Sequence, residues 1–131
     1  DQVRAKEALA AWALSERQPF VMVGAAGGKR LAQRVEVDDL ALTTHDPLLA
    51  SLRQRLRKHQ GAAKAGQGAM GLRCVYSREA VQRPHAQADD DNAMQANLNC
   101  HGYGSTVTVT ATFGLVAAGE LIEQLIASAR S

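Results

Sequence analysis

Aromatic side chains are scarce: Trp12, Phe20, Tyr76, Tyr103 and Phe113 make up 4% of the 131 residues. A core has to come mainly from Leu, Val, Ile and Ala, and a base-stacking platform of several aromatics is disfavoured. Cysteine is nearly absent, with Cys74 and Cys100 alone, which excludes a disulfide-stapled scaffold. His45, His59, His85 and His101 are scattered, and no CxxC or HxxxH spacing sets out a zinc site. No Gly-x-Ser-x-Gly elbow supports a serine hydrolase. A basic-then-apolar leader is missing at Asp1. The longest weakly polar run, 106–119, carries four threonines and stops at Glu120, short of the roughly 20 apolar residues of a spanning helix. These absences leave a soluble cytoplasmic domain, with no integral membrane segment, as the expectation. An initiator Met is also lacking, with a helix starting at Asp1, as expected of a piece of a longer protein.

What is present is ordinary globular composition, 46% apolar and 21% charged, with a net charge of +2 that by itself names no partner. Residues 1–17 are helix formers without Gly or Pro, with Asp1 placed to cap them and Arg4 and Lys6 facing Glu7. Pro19 breaks that helix, and Phe20–Val23 reads as a short strand buried on both faces. The side-chain-poor segment 24–28 implies a close approach to its backbone. Alternation at Arg34–Val37 predicts a second strand. Asp46-Pro47 is a helix start, and Leu48, Leu49, Leu52 and Leu56 line one face of that helix, which Gly61 ends. Residues 61–71 read as a loop, 72–77 as a third strand, and 83–99 as a long polar loop. Val107, Val109, Ala111 and Phe113 alternate with Thr106, Thr108, Thr110 and Thr112, which by periodicity alone is a strand. Beyond it, Leu115, Ala118, Gly119, Ile122, Leu125 and Ile126 share one helical face, with Glu120, Glu123 and Gln124 opposite.

Charge is the most lopsided feature. From Pro47 to Arg78 no acid occurs, while Arg53, Arg55, Arg57, Lys58, Lys64, Arg73 and Arg78 supply seven positive charges. Such a block neutralises nucleic-acid phosphates, or is simply a solvated face whose acids lie elsewhere. The 24–28 loop is neither a P-loop nor a GxGxxG fingerprint; Lys29 and Arg30 behind it suit an anion, and a plain tight turn is the simpler reading. Cys74 lies in a strand, as an inert buried thiol does. Cys100 precedes His101, a neighbour that can lower a thiol pKa, although adjacency alone does not establish that geometry.

Segments 1–6, 24–28, Asp46-Pro47-Leu48, 73–77 and 109–118 together, in this order and spacing, resemble the C-terminal half of the tRNA threonylcarbamoyladenosine dehydratase family, within the ThiF/MoeB/HesA relatives of ubiquitin-activating enzymes. The resemblance implies an α/β fold: the C-terminal part of a ThiF/MoeB-like, Rossmann-type adenylating domain, with short mixed strands and a long C-terminal helix from about Ser105 near a subunit interface. It sets the helix against the Thr/Val alternation. All of 1–131 is then one unit, with the ATP-binding half upstream, so that this piece alone is expected to be inactive. Family members use ATP and Mg2+ to adenylate the carboxylate of threonylcarbamoyladenosine beside the tRNA anticodon, and the activated carbonyl closes a ring with loss of water. Asp1-Gln2 matches the end of the family's Asp-x-x-Asp-Asn/Gln motif, which makes Asp1 the expected catalytic and Mg2+–ATP residue and Gln2 its cofactor-binding neighbour. Gly27, Gly28, Lys29 and Arg30 become the expected substrate loop. Arg53, Arg55, Arg57, Lys58 and Lys64 become the expected tRNA surface. Cys100 falls where sulfur-carrier activators carry a cysteine, which makes it a secondary catalytic candidate. Those activators have a zinc Cys pair where this chain reads Gly71-Leu72-Arg73-Cys74, which argues against zinc. Homodimerisation and a sulfur-relay partner are further expectations. The alternatives are an activator of a ubiquitin-like sulfur carrier, and an inactive remnant that dimerises or holds RNA.

Overall fold

The computed structural model describes residues 2–82 and 104–130. The elements are α1 (Val3–Glu16), β1 (Val21–Val23), β2 (Val35–Asp39), α2 (Pro47–His59), β3 (Arg73–Ser77) and α3 (Val107–Ala129), with short 3-10 turns at Ala32–Arg34 and Leu40–Leu42. The three strands form one mixed sheet in the order β1-β3-β2. β1 runs parallel to β3 with Met22 opposite Cys74, and β2 runs antiparallel with Val37 opposite Val75.

Side-chain alternation on β3 splits the interior in two. Cys74 and Tyr76 face one way, into a core made with Ala10 of α1, Met22 of β1 and Leu49, Leu52 and Leu56 of α2. Val75 faces the other way, against Val109 and Phe113 of α3, with Val21, Val23, Val35 and Val37 around them. The leucine stripe expected of α2 is buried as a unit, and Asp46 caps it by accepting from Leu49 N at 3.0 Å. Pro47 at the first helical position costs no hydrogen bond.

Several sequence expectations need correction. Strand β2 begins at Val35, not Arg34, and continues to Asp39, because Asp39 is needed beyond the strand: its carboxylate accepts from Ala41, Met70 and Gly71 N–H groups at 2.8–2.9 Å. The α1 N-cap is Gln2, without a side-chain cap bond, while Asp1 lies outside the described residues. Glu7 does not pair with Arg4 or Lys6. It is buried between helices, where it meets Arg55 Nε at 2.6 Å and His59 Nδ1 at 3.1 Å. Burial pushes its carboxyl up, but hydrogen bonds from Arg55, His59 and Gln60 and the Arg55 charge outweigh that and hold it below the ordinary value.

Residues 107–113 are helical, as the family resemblance implies and against their alternation, but the helix starts at Val107 with Thr106 as its N-cap rather than at Ser105. Two threonine hydroxyls donate back along the helix, Thr110 to Thr106 O at 3.2 Å and Thr112 to Thr108 O at 2.6 Å, which pairs polar groups that a strand would have turned outward. The second half of α3 is turned the opposite way to the amphipathic reading. Its polar side faces the domain: Glu120 pairs with Arg73 Nε at 2.8 Å, and Gln124 clasps the Phe20 peptide, accepting from its N–H at 2.8 Å and donating to its carbonyl at 3.0 Å. The apolar stripe points away, leaving Leu115 75%, Ile122 54% and Leu125 52% exposed. By length and composition alone α3 also passes for a membrane span.

Candidate functional site

At the C-terminal end of β1 the chain enters the loop 24–30, and a cavity of about 350 Å3 opens there. Lys6 of α1, the 24–27 backbone, Leu48 at the start of α2, and Ser105 and Thr110 around the start of α3 line it. The crevice beyond the C-terminal ends of parallel strands is where open α/β sheets place their ligands.

Internal bonds fix the loop. Gly24 N–H donates to Val75 O at 2.8 Å, and Ala25 N–H to Asp46 Oδ2 at 2.8 Å. Gly24 is required: a Cβ there would collide with the Asp46 carboxylate. Lys29, only 2% exposed, donates from Nζ to His45 O at 3.0 Å and Ser77 O at 2.9 Å, so it ties the loop to the segment before α2 and to the end of β3. Burial lowers the ammonium pKa, and the charges of Asp46 and Glu79 offset part of that. The buried Glu79 carboxylate accepts from Arg30 N–H at 2.9 Å and Leu31 N–H at 2.8 Å. The segment behind Gly28 thus holds the Glu79 carboxylate of the same chain. Lys29 and the Arg30 amide are committed to the fold. By contrast, Ala26 and Gly27 line the cavity, and among the described residues nothing accepts from their N–H groups.

The predicted residues fall into separate places. Gln2 lies one turn before Lys6, which donates its amide to Gln2 O at 3.1 Å, and Lys6 lines the cavity together with Gly27; Asp1 lies outside the described residues. Gly28 is bonded through its amide to Gly104 O at 3.1 Å. The basic residues lie toward the other end of α2, and its arginines have internal duties. Arg53 donates to Leu40 O, Thr43 O and Thr43 Oγ1 at 3.0–3.1 Å, Arg55 pairs with Glu7, and Arg57 Nε donates to Ala63 O at 2.9 Å. Lys58 and Lys64 are exposed, and their ammonium groups have no partner among the described residues. Cys74 is fully buried, and burial pushes its thiol up to about 12, so it holds no thiolate at neutral pH. Cys100 lies outside the described residues.

Lys6 is a cavity residue that sequence reasoning assigns only to helix charge pairing. The available signal is its register: Ala13, Ala10 and Lys6 continue one stripe of α1 at spacings of three and four, and the two alanines are buried.

A small mixed sheet with a long C-terminal helix matches part of a ThiF-like fold. Over 98% of its length the chain is 38% identical to the tRNA threonylcarbamoyladenosine dehydratase of Escherichia coli, and over 96% it is 30% identical to that of Haemophilus influenzae. Crystal structures of the E. coli tRNA N6-threonylcarbamoyladenosine dehydratase in complex with AMP and with ATP each superpose on the whole chain with a TM-score of 0.79 at 37% identity. The chain spans about half the length of these relatives, 50% and 48% of the two curated proteins, a share that fits their C-terminal portion. No family model matches the chain.

Proposed function

We propose that this chain is the C-terminal part of an ATP-dependent tRNA threonylcarbamoyladenosine dehydratase. The observation that carries the reading is similarity to that enzyme over nearly all of this chain, beside a cavity lined by Lys6 of α1 and the 24–27 loop. The donor set suits an anion: the Lys6 ammonium, the two free amides and the Ser105 hydroxyl. It does not suit a metal, since no cluster of three His, Cys, Asp or Glu occurs among the described residues, and Mg2+ would depend on Asp1 and the upstream half. When bound, ATP supplies activation of a carboxylate oxygen as a leaving group. The contribution of this chain is to hold and orient the substrate and to keep the loop rigid.

In the same reading the enzyme is a cytoplasmic homodimer, and its partners are tRNA and, for separate test, a sulfur-relay protein. The outward stripe of α3 fits burial against a second copy better than a membrane, because the inner face of the helix is fastened to Arg73 and Phe20. For tRNA, the exposed Lys58 and Lys64 are the free cations of the acid-free stretch, while Arg53, Arg55 and Arg57 act through the fold they brace. Replacing Lys58 and Lys64 with Glu in the full-length protein is expected to weaken tRNA binding across sequences and reduce the salt slope by about 2, with thermal stability unchanged. An unchanged slope sinks this surface. The function itself is tested by supplying the full-length protein with ATP and tRNA carrying threonylcarbamoyladenosine: AMP is expected only with that tRNA, whereas AMP formation with a small sulfur-carrier protein would favour the other adenylating branch.

A further inference from the structure

Resting on the dehydratase reading, we infer that Lys6 is the residue that recognises the carboxylate of the substrate, with the free Ala26 and Gly27 amides completing the seat. Lys6 is half-buried where the buried stripe of α1 runs out into the cavity, and its ammonium has no partner among the described residues. A lysine at that register exposes its charge to the cavity while its stem lies along the helix. The other cation nearby, Lys29, is excluded from the role because its Nζ is committed to the His45 and Ser77 carbonyls.

Charge and size select the ligand. One ammonium with two neutral N–H donors, in about 350 Å3 that also has the Ser105 hydroxyl on its wall, matches a monoanion the size of an amino-acid carboxylate. A triphosphate carries several charges and an adenine ring, and the described wall offers neither further cations nor an aromatic side chain. Lys6 therefore sorts tRNA bearing the threonylcarbamoyl carboxylate from tRNA bearing plain adenosine, rather than holding the nucleotide. The seat also keeps one carboxylate oxygen bound while the other stays free to react.

The test uses the full-length protein and two probes, tRNA with threonylcarbamoyladenosine and the same tRNA with unmodified adenosine, alongside ATP affinity. Wild type is expected to prefer the modified tRNA. Lys6→Ala is expected to erase that preference and lower kcat/KM on the order of 100-fold, with ATP affinity unchanged, and Lys6→Arg to restore most of the preference. Equal preference in wild type and Lys6→Ala would overturn the assignment of Lys6 while leaving the dehydratase reading standing. Loss of ATP affinity with preference retained would overturn it too, in favour of a nucleotide contact. A wild type that does not distinguish the two tRNAs would overturn both.

Discussion

Lys29→Met is expected to destabilise the protein by about 3 kcal/mol, the cost of leaving buried charges and acceptors without their partner. Met matches the length and flexibility of the lysine stem, so the change removes the ammonium and little else. Two carbonyls, His45 O and the buried Ser77 O, lose their donor, and the Asp46 and Glu79 carboxylates lose the cation between them. Asp46 caps α2 and anchors Ala25, and Glu79 holds the Arg30 and Leu31 amides, so the damage reaches the loop that shapes the cavity. Thermal unfolding should shift down by on the order of 10 °C, and activity should fall even where the protein stays folded. A shift of less than about 2 °C, below 1 kcal/mol for a protein of this size, would mean that Asp46 and Glu79 hold the loop unaided.

Charging the outer stripe of α3 should have an equally large effect on association and almost none on the fold. Leu115 and Ile122 lie one helical face away from Val109 and Phe113, which pack on the sheet and are buried. Leu115→Glu with Ile122→Glu removes two apolar anchors, each giving about 2 kcal/mol when buried, and adds carboxylates that would be desolvated in an interface. If the proposed homodimer forms through this face, its affinity is expected to fall at least about 1,000-fold, read by sedimentation or light scattering of the full-length protein, with helix content unchanged. A dimer of unaltered affinity would remove this face from the interface.

The sequence is most legible where local chemistry and burial agree. Asp46-Pro47 with four leucines announces α2, and short apolar runs mark β1 and β3. It is least legible where an isolated charge is claimed by a distant partner. Lys29, Asp39, Glu7 and Glu79 each look like solvent residues in the linear chain, yet Glu79 reaches back to Arg30, and Asp39 forward to Gly71. The arginines of α2 mislead for the same reason: a basic run suggests a ligand, but three of its members are bracing the α1–α2 side of the fold. Region 106–113 shows period and structure in conflict, because threonines whose hydroxyls bond to the preceding turn sit in a helix while their spacing imitates a strand. In the second half of α3 the pattern is right and its orientation reversed, since a face apolar enough for the interior is free when polar side chains fasten the opposite face to the sheet. For the site, the glycine loop is visible in composition, whereas Lys6 becomes visible only once three helices converge on that loop.

The proposed carboxylate activation on tRNA is tested by the mass of the tRNA nucleoside after reaction. Full-length protein with ATP and tRNA carrying threonylcarbamoyladenosine is predicted to yield one AMP per nucleoside that has lost one water. ATP left intact, with the nucleoside unchanged in mass, would contradict a dehydratase.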